Sequence, residues 1–168
     1  NALGVRGHLA ALKAFRDGSS EYEIHLQYLR ATAHNEAQLP YSNIVAINEN
    51  ASILHYQHQE REPLPSENRH SFLIDAGATF NGYASDITRT YSQRPDEFQE
   101  LVDAMDAGQQ ELCAEVHPGL DYRELHLSAH RKVAELLVRF RFVNMSADAA
   151  VESGVTRTFL PHGVGHLI

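Results

Sequence analysis

The dipeptide Asn81-Gly82 stands between two runs rich in apolar, β-branched and aromatic residues, Ser71–Asp75 and Tyr83–Tyr91. Asn-Gly in that setting is the strongest short-range signal for a two-residue hairpin turn, because both central residues must adopt positive φ. The turn fixes the pairing: Phe80 faces Tyr83, so Asp75 faces Thr88 and Gly77 faces Asp86. Side chains alternate with period two along a strand, which puts Asp75, Asp86 and Thr88 on one face. The two aspartates become diagonal neighbours about 7–8 Å apart at the backbone. Carboxylates reaching toward each other across that gap can hold two cations about 3.5–4 Å apart. A bulge would break the parity, and two aspartates on a solvated face would give the same pattern. The flanking Phe72, Leu73, Ile74, Ala76, Ala84 and Ile87 favour a well-buried sheet. Unpaired carboxylates are costly there unless a cation or strong hydrogen bonds compensate.

Around this ribbon the pattern alternates helix and strand. Leu3, Leu9, Leu12 and Phe15 recur at roughly helical spacing over residues 3–16, and Gly18 is a stop signal. Ser20 stands three before Glu23, a capping box that opens a second amphipathic helix through about Ala33. Ile44–Ile47 and Ile53–His55, separated by Asn48-Glu49-Asn50, read as strand, turn and strand. Residues 57–70 show no apolar periodicity and read as a flexible polar loop. Pro95 starts a helix that runs to about Glu115. Asp121 and Glu124 form another capping box before a helix to about Arg139, and Ser146 caps a short helix ahead of Gly154. Without repeats or low-complexity linkers, one mixed layer of helices and sheet is the architecture these signals imply.

The 168 residues carry 14 Lys+Arg against 22 Asp+Glu, a net charge of −8, with 43% hydrophobic and 21% charged residues. That balance is globular and excludes a disordered or collagen-like chain. The acidity argues against a nucleic-acid partner, which selects a basic patch. No apolar run approaches the length of a membrane span. A single cysteine, Cys113, rules out an internal disulfide and suits a reducing compartment; its place in a helical pattern reads as packing. Eleven histidines point to site chemistry. His162 and His166 flank Gly163-Val164-Gly165, where glycines permit close backbone approach, although a plain loop fits that string too. Imidazole with carboxylate suits Mn, Co, Fe or Zn better than Mg or Ca. His126 and His130 have the i, i+4 spacing of a helical metal pair. They lack the glutamate of the zinc-protease motif and read as ordinary surface histidines.

Five ordered motifs complete the reading: Pro40-Tyr41-Ser42-Asn43-Ile44-Val45-Ala46, Ile53-Leu54-His55-Tyr56, Ile74-Asp75-Ala76-Gly77-Ala78, Tyr83-Ala84-Ser85-Asp86-Ile87-Thr88-Arg89-Thr90 and Pro161-His162-Gly163-Val164-Gly165-His166. Together, over essentially the whole chain, they resemble the pita-bread metallopeptidases, and among these the bacterial Xaa-Pro dipeptidases (prolidases). The resemblance implies an α+β, creatinase/aminopeptidase-like fold with a mixed sheet and flanking helices, truncated at its C-terminal end. Residues 1–168 would be the first part of the catalytic domain, with the family's N-terminal domain and the rest of the catalytic domain absent. It implies two divalent metal ions per complete site, manganese first, with cobalt or zinc as alternatives. Asp75 and Asp86 would be ligands, Asp86 bridging, with His166 on one metal. His162 resembles an extra pocket histidine, His55 the histidine that contacts the substrate amide, and Tyr41 a residue lining the substrate pocket.

Two further ligands, both glutamates, belong to strands past the end of this chain, so these residues alone should be inactive. The implied activity is hydrolysis of the bond before proline in a small peptide substrate, by a cytoplasmic protein that is a homodimer at full length, with no nucleic-acid or membrane partner. The competing readings are an Xaa-Pro aminopeptidase acting on longer peptides and a metal-free binding module on the same fold. The three ligands that the chain is long enough to contain disfavour the last.

Overall fold

The Asn81-Gly82 turn forms as the sequence dictates. Asn81 and Gly82 take φ of 51° and 81°, the two left-handed positions of a tight hairpin. A computed structural model describes residues 1–166 and divides the chain into two compact units, one covering Asn1–Pro95 and one beginning at Asp96.

The first unit packs two helices, α1 (Ala2–Asp17) and α2 (Glu21–Thr32), with an antiparallel sheet. The sheet has the order β1 (Ile44–Ile47), β2 (Ser71–Ala76), β5 (Ile87–Ser92), and a two-stranded ribbon, β3 (Thr79–Phe80) and β4 (Tyr83–Ala84), forms the hairpin tip. Phe80 pairs with Tyr83 and Asp75 with Thr88, the expected register. Between tip and sheet the ladder is interrupted. Ser85 bridges the gap: its amide donates to Ala78 O at 2.9 Å and its Oγ accepts from Ala78 N at 3.0 Å. Because the register is the same on both sides of the interruption, no residue is gained and the parity survives.

Period-two alternation in β2 buries Phe72, Ile74 and Ala76 against Phe15, Ile24 and Tyr28 of the helices, leaving Asp75 half-buried on the other face. Ser20 caps α2 as expected, its Oγ accepting from Glu23 N while its own N–H donates to the Glu23 carboxylate at 2.8 Å. Close approach of the two helices depends on Gly7. A Cβ there would lie 2.6 Å from Tyr28 Cδ2 and 2.8 Å from Thr32 Cγ2.

One sequence expectation fails here. Residues 53–55 are not a strand, and β1 pairs with β2 instead. A short 3₁₀ turn, Asn48–Ser52, leads away from β1, with Asn48 at φ 55°. The Asn48 side chain donates to Asn68 O at 2.6 Å and accepts from His70 N at 2.9 Å, tying the end of β1 to the start of β2. The polar stretch 57–70 is irregular, but it ends on a buried arginine. Arg69 donates to the carbonyls of Phe15 and Ser19 at the end of α1, and its guanidinium lies 5.2 Å from the Phe15 ring. A cation at a helix C-terminus meets carbonyls with no intrahelical donor.

The second unit holds α3 (Glu97–Ala114), α4 (Tyr122–Arg139), α5 (Ala147–Glu152) and α6 (Thr156–Phe159). Asp96, Asp121 and Ser146 accept backbone N–H groups at the first turns of α3, α4 and α5. Cys113 is exposed, receiving the Gln109 amide at 3.3 Å, so it does not pack as its helical position suggests. No helix among the described residues is long and apolar enough to cross a membrane.

Two of the helical glycines, Gly7 and Gly108, separate packing from propensity. Gly7→Ala gains about 1 kcal/mol of helix propensity but overpacks against Tyr28 at a cost of about 1–3 kcal/mol. Gly108 in α3 has no neighbour closer than 3.9 Å to an added Cβ, so Gly108→Ala is expected to stabilise by about 0.5–1 kcal/mol. Urea denaturation of the two variants checks this; equal and same-signed shifts would contradict it.

Candidate metal centre

The face that carries Asp75 also receives a tyrosine. The Tyr41 phenol lies 2.8 Å from Asp75 Oδ1 and 2.8 Å from Asp86 Oδ1, so the two carboxylate oxygens are within twice that distance of each other. Gly77, between them on the hairpin, makes this possible. A Cβ at Gly77 would lie 2.6 Å from Pro40 Cγ and 2.8 Å from Tyr41 Cε1, and would strike Ser85 O. The ring of Tyr41 occupies the space a side chain would have filled.

One phenol carries one proton, which cannot be given fully to two carboxylates at once. Burial and hydrogen bonding to Asp86 and Asp75 push the ionisation of Tyr41 far above the usual tyrosine range, so it stays a neutral donor. Two half-buried carboxylates converge on one shared proton. Their hard oxygen donors suit a divalent cation, and an added imidazole would shift the preference toward manganese, cobalt or zinc. The residues present therefore fit such an ion. Among the described residues no group of three or more His, Cys, Asp or Glu side chains is gathered; the assembled feature is the aspartate pair with its tyrosine.

His55 lies in the first unit, exposed, with φ 55° on the loop after β1. What shapes that loop is a residue the sequence reading passes over. Glu21, at the start of α2, is 2% exposed. Its carboxylate accepts from Ile47 N at 2.7 Å, Asn50 Nδ2 at 2.9 Å, Tyr56 Oη at 2.7 Å and Glu60 N at 2.8 Å. Burial and the Glu21 carboxylate push the Tyr56 phenol above its ordinary range, so it too remains a donor. The residue after His55 is thereby fixed. The capping box signals only Ser20 and Glu23; four donors from distant positions gather on Glu21 through the tertiary fold, and no local pattern announces them. Gly77 was legible in the Asp-Ala-Gly string but not as the seat of a tyrosine.

His162 and His166 lie in the second unit, both exposed. The glycine turn between them is fastened to the first turn of α4, where Tyr122 Oη donates to Gly165 O at 2.9 Å.

The sequence pattern of metallopeptidase family M24 matches residues 1–168. The Xaa-Pro dipeptidase of Aeromonas hydrophila is 51% identical over 168 residues, which cover 100% of this chain and 38% of that protein. The Xaa-Pro dipeptidase of Shewanella woodyi is also 51% identical over 168 residues, with the same coverage. Zinc-substituted Escherichia coli aminopeptidase P in complex with product superimposes with a TM-score of 0.82 at 25% identity, over 98% of this chain and 38% of that one. Pseudomonas aeruginosa aminopeptidase PepP does so with a TM-score of 0.82 at 25% identity, over 94% and 36%. The mixed helix-and-sheet architecture is thus the pita-bread fold of aminopeptidase P, and the chain spans 38% of the length of these dipeptidases.

Removing the phenolic proton from between two carboxylates leaves both without it. In chelator-treated protein, Tyr41→Phe is expected to lower stability by about 1–3 kcal/mol at neutral pH, the scale of a lost hydrogen bond to charged acceptors. Denaturant midpoints measure this; an unchanged midpoint would contradict the shared hydrogen bond.

Proposed function

The chain belongs to metallopeptidase family M24, and from that premise we propose that the protein it forms part of hydrolyses the peptide bond before proline in Xaa-Pro dipeptides. The observation that carries the proposal is the pair of carboxylates brought to one point by Tyr41. Identity of 51% to two Xaa-Pro dipeptidases supports the substrate class.

Asp75 and Asp86 would hold two divalent cations, and His166 would add a neutral imidazole. Manganese is the first choice of metal, with cobalt or zinc next. Two glutamates from outside these residues would complete the set. When bound, the metals supply Lewis acidity and lower the pKa of water for attack on a carbonyl. The chain's own residues do the rest. Tyr41 keeps a neutral phenol beside Asp86 and orients that carboxylate. His55, its loop fixed by Tyr56 on Glu21, would hydrogen-bond the scissile amide and pass a proton toward the leaving proline nitrogen. His162 would face the proline side of the substrate. The whole protein would act as a cytoplasmic homodimer.

A second reading has its own support. The solved structures that match are aminopeptidases P, so an Xaa-Pro aminopeptidase acting on longer peptides is the alternative. Turnover of an Xaa-Pro dipeptide against an Xaa-Pro-Xaa tripeptide by the full-length protein, after chelation and manganese return, tests both. Preference for the dipeptide supports the proposal, preference for the tripeptide the alternative, and metal-independent turnover neither.

Asp86→Asn in the full-length protein is expected to abolish binding of the metal pair, because a neutral amide bridges two cations poorly. Elemental analysis finding two metals per chain would overturn the ligand assignment. His55→Ala should keep the metals and lose about 10²-fold or more in kcat/KM, the scale of a missing acid–base partner. His166→Ala should lose metal itself. The reverse outcome would exchange the two histidines' roles.

A further inference from the structure

Outside the site described above, two histidines of α4 come into direct contact. His126 Nε2 and His130 Nε2 lie 3.1 Å apart, one helical turn separating them, with their rings nearly perpendicular at 83°. Their surroundings differ. His130 is 6% exposed, whereas His126 is half-buried. On its far side His130 Nδ1 lies 2.9 Å from Oγ1 of Thr156, itself 1% exposed, at the start of α6. The pair is therefore not the two ordinary surface histidines that the sequence suggests.

We propose that His126 and His130 form a bidentate chelate for a divalent cation of the nickel–copper–zinc group. Metal–imidazole bonds of about 2.0–2.1 Å from two nitrogens at the observed separation subtend an angle of about 100° at the ion. That lies between the right angle of an octahedral site and the tetrahedral angle. The ion would displace the proton between the two Nε2 atoms and sit to one side of the line joining them, the two rings tilting to turn their lone pairs toward it. Thr156 supplies the orienting contact that metal-binding histidines characteristically have on the other ring nitrogen. With His130 Nδ1–H donated to Thr156 Oγ1, its Nε2 presents a lone pair toward His126. Burial and the neighbouring His126 lower the proton affinity of His130, so this lone pair is available at neutral pH.

The charges select the ion. Arg157 also acts on His130 as a positive neighbour, and no carboxylate is among the groups that shift His130. A hard cation held by charge alone, such as magnesium or calcium, has nothing to gain there. A borderline cation that bonds strongly to imidazole nitrogen does, with water filling its remaining positions. The chelate uses none of the residues assigned to the peptidase, so it stands or falls independently of that reading.

The test is nickel(II) titration of the full-length protein, its other sites first saturated with manganese. His126 is half-buried and its replacement leaves the His130–Thr156 contact intact, so His126→Gln is the decisive variant. Wild type should bind one more nickel per chain than His126→Gln, with affinity at that site lost by at least about 10-fold. Thr156→Val should weaken the same site by about 10-fold without changing the stoichiometry. Lowering the pH from about 7.5 to about 5.5 should release this nickel from wild type, because both imidazoles must be neutral to bind. Equal nickel uptake by wild type and His126→Gln would overturn the proposal and leave a hydrogen-bonded histidine pair.

Discussion

The structure of the first unit depends on one parity. Because Asn81 and Gly82 both turn left-handed, the hairpin closes with two residues, and every paired position follows from that number. One residue more or fewer would send Asp86 to the face opposite Asp75. The interruption at Gly77 and Ser85 threatens this parity without breaking it, since Ser85 meets Ala78 with its own amide and with its side-chain hydroxyl. What the interruption gives in return is room. The flank of Tyr41 enters where a side chain at position 77 would stand, and its phenol reaches both carboxylates.

Charged groups buried away from the aspartates hold the frame in place. Glu21 gathers four donors from the end of β1 and the loop after it, and Arg69 gathers two carbonyls from the end of α1. Each is expensive to bury alone; four hydrogen bonds meet Glu21 and two meet Arg69, whose buried Nε has no partner among the described residues. Both act on irregular chain. The helices and strands are ordered by apolar burial, whereas the segments between β1 and β2 owe their course to these side chains. That division explains how a loop without apolar periodicity can still fix the residue beside His55.

The same division separates what was legible in the sequence from what was not. Capping at Ser20 and the hairpin register are encoded within a few residues, and the structure repeats them. The supposed strand at 53–55 failed because local apolarity there competes with Asn48, whose side chain ties β1 to β2 from positions twenty residues apart. Ile53 and Leu54 are instead 54% and 63% exposed. Glu21 and Arg69 went unread for one reason: each is a charged side chain whose partners come from elsewhere in the fold, as does Thr156, the one contact of the His126–His130 pair that its helical spacing does not announce. Of the candidate site, the convergence of Asp75 and Asp86 was legible and the wedge of Tyr41 between them was not. Tyr41 resembled a residue lining a pocket, and its hydroxyl sits on the carboxylates themselves.

The functional proposal rests on Asp75 and Asp86 as holders of a metal pair. Anomalous diffraction at the manganese edge, from crystals of the full-length protein grown with manganese, tests it most directly. Two peaks per chain, about 3.5–4 Å apart and both beside Asp75 and Asp86, are expected. Manganese peaks away from both aspartates, with Tyr41 still seated between them, would contradict it.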